Sequence, residues 1–245
     1  MLPALPIAVF GVLAASVLRG FTGFGFGLAA VPLLSLALPP ARVVPFVVVL
    51  QVIVGCVSLR SAWRLCDWRA VLGLIPGLVL GVPLGVVFLT VFRPNTVRFG
   101  IALVIAASVA LLWRGARLPP RPSRLITVAV GVVSGILSGM ASTGGPPIVV
   151  YLLATARSAA TVRATSIVYF TVSALAALIP MTARGLVDRE VLTWAAASAP
   201  VLFAGTWIGN WGFARARPHH HRMTALIVLS LLSAMLLARA VSAAG

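Results

Sequence analysis

The chain has 245 residues, of which 61% are hydrophobic and only 9% are charged, and its mean hydropathy is +1.12. Soluble domains average about 45–50% apolar and about 25% charged residues, so this composition excludes an ordinary soluble protein. Apolar stretches close to the roughly 20 residues needed to cross a bilayer recur along the whole length. An all-α polytopic membrane protein is therefore predicted.

The formal net charge is +16, and it comes from arginine alone because the sequence contains no lysine. The acids are Asp67, Asp188 and Glu190. The arginines lie at the ends of apolar stretches, where they meet lipid phosphates and fix the orientation of a membrane protein. The lipid bilayer is thus the expected partner of this charge, and nucleic acid is not.

Sequence motifs for cofactor, metal or catalytic chemistry are absent. There is no phosphate-binding GxxxxGK[ST] loop, no zinc-protease motif and no nucleophile elbow. Cys56 and Cys66 lack CxxC spacing, and the histidines at 219–221 have no flanking carboxylate or cysteine. No cofactor, no metal site and no enzymatic activity are expected.

Apolar segments recur along the chain, and all are predicted to be helical because open strands cannot satisfy their backbone polar groups in lipid. In chain order they cover residues 5–18, 21–38, 43–59, 70–92, 96–113, 125–140, 143–156, 164–182, 191–213 and 223–241.

The two halves of the chain share a pattern at an offset of about 120 residues, which indicates an internal duplication. We assign residues 1–115 to a first membrane repeat, 116–124 to an Arg/Pro linker and 125–245 to a second repeat. The corresponding landmarks are Gly11 with Gly131, Asp67 with Asp188, Pro76 with Pro200, Gly81 and Gly85 with Gly205 and Gly209, and Arg93-Pro94 with Arg217-Pro218.

Five segments per half is an odd number, so the two repeats are predicted to be inverted in the membrane. With ten crossings, thirteen of the nineteen arginines fall on one side, as the positive-inside rule requires. If the first two segments of each half form one broken crossing, giving eight in all, the arginines divide almost evenly. We favour ten apolar segments in inverted repeats, which corresponds to 8–10 transmembrane helices. Broken or re-entrant helices are expected at the Gly-rich motifs.

A Gly-rich break follows the first segment of each half. Glycine and proline inside an apolar run free backbone polar groups, which lipid cannot satisfy, so such breaks must face protein or a water-lined cavity. Paired breaks in duplicated transporters mark a binding site near the midplane, although glycines also serve tight helix packing. The candidate substrate-binding residues are Thr22, Gly23, Gly25 and Gly27 in the first break and Ser142, Thr143, Gly144, Gly145 and Pro146 in the second.

Polar residues in the third segment of each half are candidates for the same cavity. Gln51 corresponds to Thr171, which lies near Thr165. Hydrogen bonds between helices are the alternative role for these side chains. Arg19 and Arg163 stand beside the breaks; we expect them to extend to the lipid headgroups, and attraction of an anion is the alternative.

The chain resembles the TauE/SafE sulfite exporter family, also called the toluene sulfonate uptake permease family, over almost its whole length. The resemblance is carried by residues 20–27 with Pro32, by residues 135–147 and by the Ala-Thr-Ser sequence at 164–166. It implies transport of small sulfur-containing anions across the bacterial inner membrane without ATP. The family's glycine motifs correspond to Gly23, Gly25, Gly27, Gly139, Gly144 and Gly145, with Gly-Gly-Pro-Pro in place of three consecutive glycines in the second break.

The leading hypothesis is therefore a secondary transporter of small anions, such as sulfite or organosulfonates, that works by alternating access between the two repeats. Its expected partners are the anionic substrate and the bilayer, and a homo-oligomer is compatible with the sequence. The alternatives are a channel-like or metal-cation permease, and a non-transporting membrane scaffold subunit.

Overall fold

A computed structural model describes residues 4–35, 38–92, 122–155 and 158–215, together with the single positions 96, 110 and 119. Within these residues all regular secondary structure is helical, as predicted. The predicted segment 223–241 and the histidines at 219–221 lie outside the described residues, and only two positions of segment 96–113 lie within them.

Five of the described helices are long and apolar enough to cross a membrane, which confirms a polytopic membrane protein. They cover Pro40–Ala62, Trp68–Val91, Arg124–Ala141, Ala159–Ala183 and Arg189–Arg215. The eight described helices are α1 (Ala4–Thr22), α2 (Phe26–Leu34), α3 (Pro40–Ala62), α4 (Trp68–Val91), α5 (Arg124–Ala141), α6 (Gly145–Ala154), α7 (Ala159–Ala183) and α8 (Arg189–Arg215).

Helices α2 and α6 are too short to cross the bilayer. With nine and ten residues they are about 14 Å and about 15 Å long, half of the roughly 30 Å hydrocarbon core. The predicted segments 21–38 and 143–156 therefore do not form full crossings. Their length was overestimated because the apolar composition continues through the turn at each end of the short helix.

Each short helix turns back along the helix before it. A Cβ atom on Gly11 of α1 would lie 3.3 Å from Leu34 at the end of α2, so α2 returns to the middle of α1. In the second half, the hydroxyls of Thr127 in α5 and Tyr151 in α6 lie 3.1 Å apart. Helices α1 and α2 therefore form one helical hairpin, and α5 and α6 form another.

Helices α4 and α8 start at the two aspartates that the predicted duplication pairs. The Asp67 carboxylate accepts a hydrogen bond from the backbone N–H of Ala70 at 3.1 Å, and Asp188 accepts one from Val191 at 2.9 Å. An aspartate in this position satisfies a backbone donor that has no partner inside the helix. The two aspartates therefore share one structural role in the two halves.

Glycines bring the backbones of α4 and α5 into contact. A Cβ atom on Gly81 would collide with the carbonyl oxygen of Val132, and one on Gly135 would lie 2.8 Å from that of Leu78. Contacts of this kind, which only small residues permit, hold helices together in lipid. The contacts advance in the same direction along both helices, so α4 and α5 run parallel.

The corresponding helices α8 and α1 pack in the same way. Gly205 lies against Ser16, and Gly209 lies against Val17 and Gly20. Each hairpin is thus held by a long glycine-containing helix from the other half of the chain. Between these two assemblies α3 packs on α7, where Gly55 accommodates Thr171.

We expect Gly81→Ala to destabilise the protein by about 1–3 kcal/mol, because the added methyl group has no space beside the α5 backbone. Thermal unfolding in detergent measures this effect. Gly212→Ala is the matched control, since its Cβ atom would lie 3.3 Å from the Phe21 ring, which can shift. Equal melting temperatures for the two variants would contradict the proposed role of backbone contact.

Candidate functional site

The first break separates α1 from α2 and depends on two glycines in the left-handed region. Gly23 has φ 81° and Gly25 has φ 88°, values that side chains with a Cβ atom rarely adopt. The hydroxyl of Thr22 accepts a hydrogen bond from the N–H of Phe24 at 3.2 Å and lies 2.8 Å from the Leu18 carbonyl. Thr22 therefore stabilises the turn itself.

The second break separates α5 from α6. Ser142 has φ 55° and ends α5, and the N–H of Thr143 donates to the carbonyl of Leu137 at 3.2 Å. The Ser134 hydroxyl donates to the Gly144 carbonyl at 2.6 Å. A Cβ atom on Gly144 would collide with the Ser138 hydroxyl, so Gly144 allows the break to fold back closely on α5.

The two breaks lie against each other in the interior of the protein. A Cβ atom on Gly27 would overlap the carbonyl oxygen of Ser142, so only glycine permits this approach. The Gln51 side chain, at the middle of α3, donates from Nε2 to the Ser142 hydroxyl at 2.8 Å. The structure thereby joins the two Gly-rich motifs and the predicted polar residue of the third segment.

A cavity opens where the breaks meet. It is a small cleft, with about 300 Å³ of empty space when its open mouth is included. Seven of the twelve candidate residues line it, namely Gly23, Gly25, Gly27, Gln51, Ser142, Thr143 and Gly145. The other lining residues are Arg19, Phe24, Phe26, Leu28 and Phe170.

The remaining five candidates, Thr22, Gly144, Pro146, Thr165 and Thr171, lie away from the cavity lining. Thr165 accepts a hydrogen bond from the N–H of Asp67 at 2.9 Å and fixes the turn before α4. Thr171 donates to the Ile167 carbonyl at 2.7 Å and faces α3. Pro146 lies in the first turn of α6. Successive helix residues point about 100° apart, which is why Phe170 lines the cavity and Thr171 does not.

Arg19 lines the cavity, although we expected it at the lipid headgroups. Its side chain is only 4% exposed, and Nη1 donates to the Ser58 hydroxyl at 3.3 Å. It differs from the expectation because the end of α1 packs against the start of α7 and the end of α8, so the Arg19 side chain is covered by protein. Its position four residues before Gly23, one helical turn from the break, is the sequence signal that identifies it.

Arg163 is half-buried and connects three helices. Its guanidinium donates to the Gly20 carbonyl from Nη2 at 2.6 Å and from Nε at 3.2 Å. It also donates to the side chain of Asn210 and lies 4.3 Å from the centre of the Phe213 ring. These contacts hold the ends of α1 and α8 against the start of α7.

The cavity combines one cationic side chain with uncharged donors and an aromatic wall. Phe24, Phe26 and Phe170 form the wall, and none of them is among the predicted substrate-binding residues. Among the residues that the structure describes, no carboxylate lines the cavity and no group of His, Cys, Asp or Glu could hold a metal ion. This electrostatic environment suits an anion.

The family model for the sulfite exporter TauE/SafE matches residues 7–236 of this chain. The chain belongs to the TauE/SafE family. The predicted resemblance is thereby confirmed. Since members of this family are exporters, the protein is a membrane transporter and not an enzyme.

Two relatives agree with this assignment. The probable sulfite/organosulfonate exporter TauE of Cupriavidus necator is 28% identical over 229 residues, which cover 91% of this chain and 89% of the relative. The probable inner membrane transporter protein TsaS of Comamonas testosteroni is 28% identical over 180 residues, covering 71% of this chain and 73% of the relative. No solved structure matches the chain significantly. The predicted multi-pass location in the bacterial inner membrane is confirmed.

We expect Gly27→Ala to reduce transport strongly, because its methyl group pushes the Ser142 carbonyl away and breaks the hydrogen bond from Gln51. Substrate flux per correctly inserted protein measures the effect. Gly11→Ala in the same hairpin meets only leucine side chains and should retain most of the flux. Full flux in Gly27→Ala would show that the contact between the breaks is dispensable.

Proposed function

We propose that this TauE/SafE family member is a secondary transporter of small anions, in particular sulfur oxyanions such as sulfite and organosulfonates. The observation that carries the proposal is the meeting of two helix breaks, one from each half, at a cavity whose charged side chain is Arg19. Transport by alternating access between two inverted repeats is the mechanism that this arrangement favours.

The two short helices support anion binding. Both α2 and α6 begin at the cavity, where the first residues of α2 and Gly145 of α6 are part of its lining. The first N–H groups of a helix have no partner within it, and the helix dipole makes this end positive. Two half-helix N-termini thus point their donors towards the same space, as in transporters that bind anionic groups.

The helix directions support inverted repeats. Helix α4 runs parallel to α5, and α1 runs parallel to α8, so each hairpin is held by the corresponding helix of the other half. The breaks therefore enter the interior from opposite faces: α1 and α2 from the face where α3 starts, and α5 and α6 from the face where α7 starts. This is the arrangement expected for two repeats of opposite orientation.

Polar contacts join the two halves at both faces. Where α3 starts, Arg42 forms an ion pair with Asp188 and lies 3.8 Å from Glu190. At the opposite face, Arg163 donates to the Gly20 carbonyl. Exposed ion pairs contribute little to stability, so the Arg42 contact can break and reform during a transport cycle.

The ion pair between Arg42 and Asp188 persists at neutral and mildly acidic pH because the Asp188 carboxyl stays ionised. The Val191 N–H, and then the Arg42 guanidinium, hold the pKa of the Asp188 carboxyl below its usual value. The carboxylate is ionised above this lowered pKa, and the contact is lost as the pH falls through it.

The relatives' names and the cavity support the proposed substrate class. The Cupriavidus relative, 28% identical, is named as a probable sulfite/organosulfonate exporter, and we propose the same substrate class for this chain. The two alternative hypotheses have no comparable support. A metal-cation permease would have to pass its substrate beside Arg19, and a non-transporting scaffold gives no reason for a polar cavity between the breaks.

Flux measurements in proteoliposomes test the proposal, with sulfite and methanesulfonate as substrates under imposed ion gradients. Saturable uptake is expected for the wild type. Gly145→Leu should abolish it without loss of folding, because the new side chain extends towards Phe24, Leu28 and Phe170 and fills the cavity. Gly11→Ala is the control that should stay active. Absence of flux of either anion in the wild type under every gradient would overturn the proposal.

Alternating access predicts that breaking one face contact opens the cavity to that face. In a background with Cys56 and Cys66 replaced by serine, Ser142→Cys reports access through its labelling by a membrane-impermeant thiol reagent. Adding Arg42→Gln should raise labelling from the face where α3 starts. Arg60→Gln, at the other end of α3, is the matched control. Unchanged labelling from that face in the Arg42 variant would contradict a gating role.

A further inference from the structure

We propose that Arg19 binds the substrate's charged group directly and is the residue that distinguishes anions from neutral molecules of the same shape. The inference rests on the proposed transport of small anions, since it assigns a role within that cavity. It is carried by the burial of Arg19, by its sparse hydrogen bonding and by its place among the lining residues.

The guanidinium of Arg19 has few partners for a buried charge. The side chain is 4% exposed, and its one hydrogen bond among the described residues is the contact to Ser58 at 3.3 Å. This bond is longer than the usual 2.9–3.0 Å of an N–H···O contact. A guanidinium carries five N–H donors, so most of the hydrogen-bonding capacity of Arg19 is left for a ligand.

Arg163, the neighbouring arginine, differs in this respect. Its donors are used by Gly20 and Asn210, and its face lies against Phe213. Arg163 is a structural residue, and its positive charge adds to the potential at Arg19. The neighbourhood of the first break is therefore electropositive.

The acids of the described chain are engaged elsewhere. Asp188 and Glu190 face Arg42, and Asp67 caps α4. No carboxylate in the described ranges lines the cavity or forms an ion pair with Arg19. A buried charge is costly unless it is paired, and a bound anion would supply the pair that the described protein groups do not.

The chemistry of the guanidinium favours a tetrahedral or pyramidal oxyanion. Its planar fork donates two parallel hydrogen bonds to two oxygens of one group, which an ammonium cannot do. The Ser142 hydroxyl and the half-helix N-termini provide further donors in the same cavity. A neutral sulfonamide or sulfone of the same shape would leave the Arg19 charge unpaired and should be rejected.

Flux assays with matched variants and a matched pair of molecules test the inference. We would measure KM and Vmax for methanesulfonate in wild type, Arg19→Gln, Arg19→Lys and the control Arg60→Gln. Methanesulfonamide serves as the neutral competitor. Methanesulfonamide should not inhibit methanesulfonate flux in the wild type or in Arg60→Gln.

The expected result is a KM raised about tenfold or more in Arg19→Gln, with loss of discrimination against methanesulfonamide. Arg19→Lys should keep the discrimination, because the charge remains, but raise KM because the fork is lost. A purely structural role would lower the amount of folded protein or Vmax without changing this discrimination.

The outcomes separate this inference from the proposed function. If wild-type protein carries no methanesulfonate or sulfite, the proposed function fails. If the wild type transports and Arg19→Gln keeps the wild-type KM and selectivity, only the role of Arg19 is overturned. Should Arg19→Gln fail to fold, Arg19→Lys decides, and an unchanged KM in that variant contradicts the inference.

Discussion

The constraint on which this structure depends is that backbone polar groups inside a membrane must find partners within the protein. The chain interrupts its helices after Thr22 and after Ala141, and without partners the backbone amides and carbonyls at these two breaks would face lipid. It avoids this by packing the two breaks on each other, with Gln51 bridging to Ser142. The donors that remain face a small cavity, so the requirement that protects the backbone also creates a polar site.

Glycine contacts between the halves make this arrangement possible, and they differ in strength from the polar contacts at the faces. Backbone contact along α4 with α5, and along α1 with α8, leaves no space for repacking. The ion pair of Arg42 is partly exposed and weak by comparison. We therefore expect each hairpin to move together with the long helix that holds it. One such assembly contains α1, α2 and α8 and the other contains α4, α5 and α6, and relative motion is expected at α3 and α7, which lie between them. The cavity lies between these assemblies, where such motion would change its access.

Features set by local chemistry were predictable from the sequence. The glycines of the breaks and the paired small residues at Gly81 and Gly205 follow from backbone requirements that any fold must meet. Asp67 and Asp188 were paired as landmarks, but their capping of α4 and α8 was found only in the structure. Gln51 was identified because a polar side chain in an apolar helix needs a partner. Side-chain direction was not predictable in the same way. Thr165 and Thr171 turn away from the cavity by helix rotation, and the burial of Arg19 depends on where α1 ends relative to α7 and α8, which composition does not encode.

Anomalous scattering from a small bromine-labelled sulfonate in crystals of the protein tests most directly whether the junction of the two breaks binds an anion. One anomalous peak is expected in the cavity, with the sulfonate oxygens within hydrogen-bonding distance of Arg19 and Ser142. A sulfonate bound only at the lipid headgroup region, with continuous protein density closing the space between Gly27 and Gly145, would contradict it.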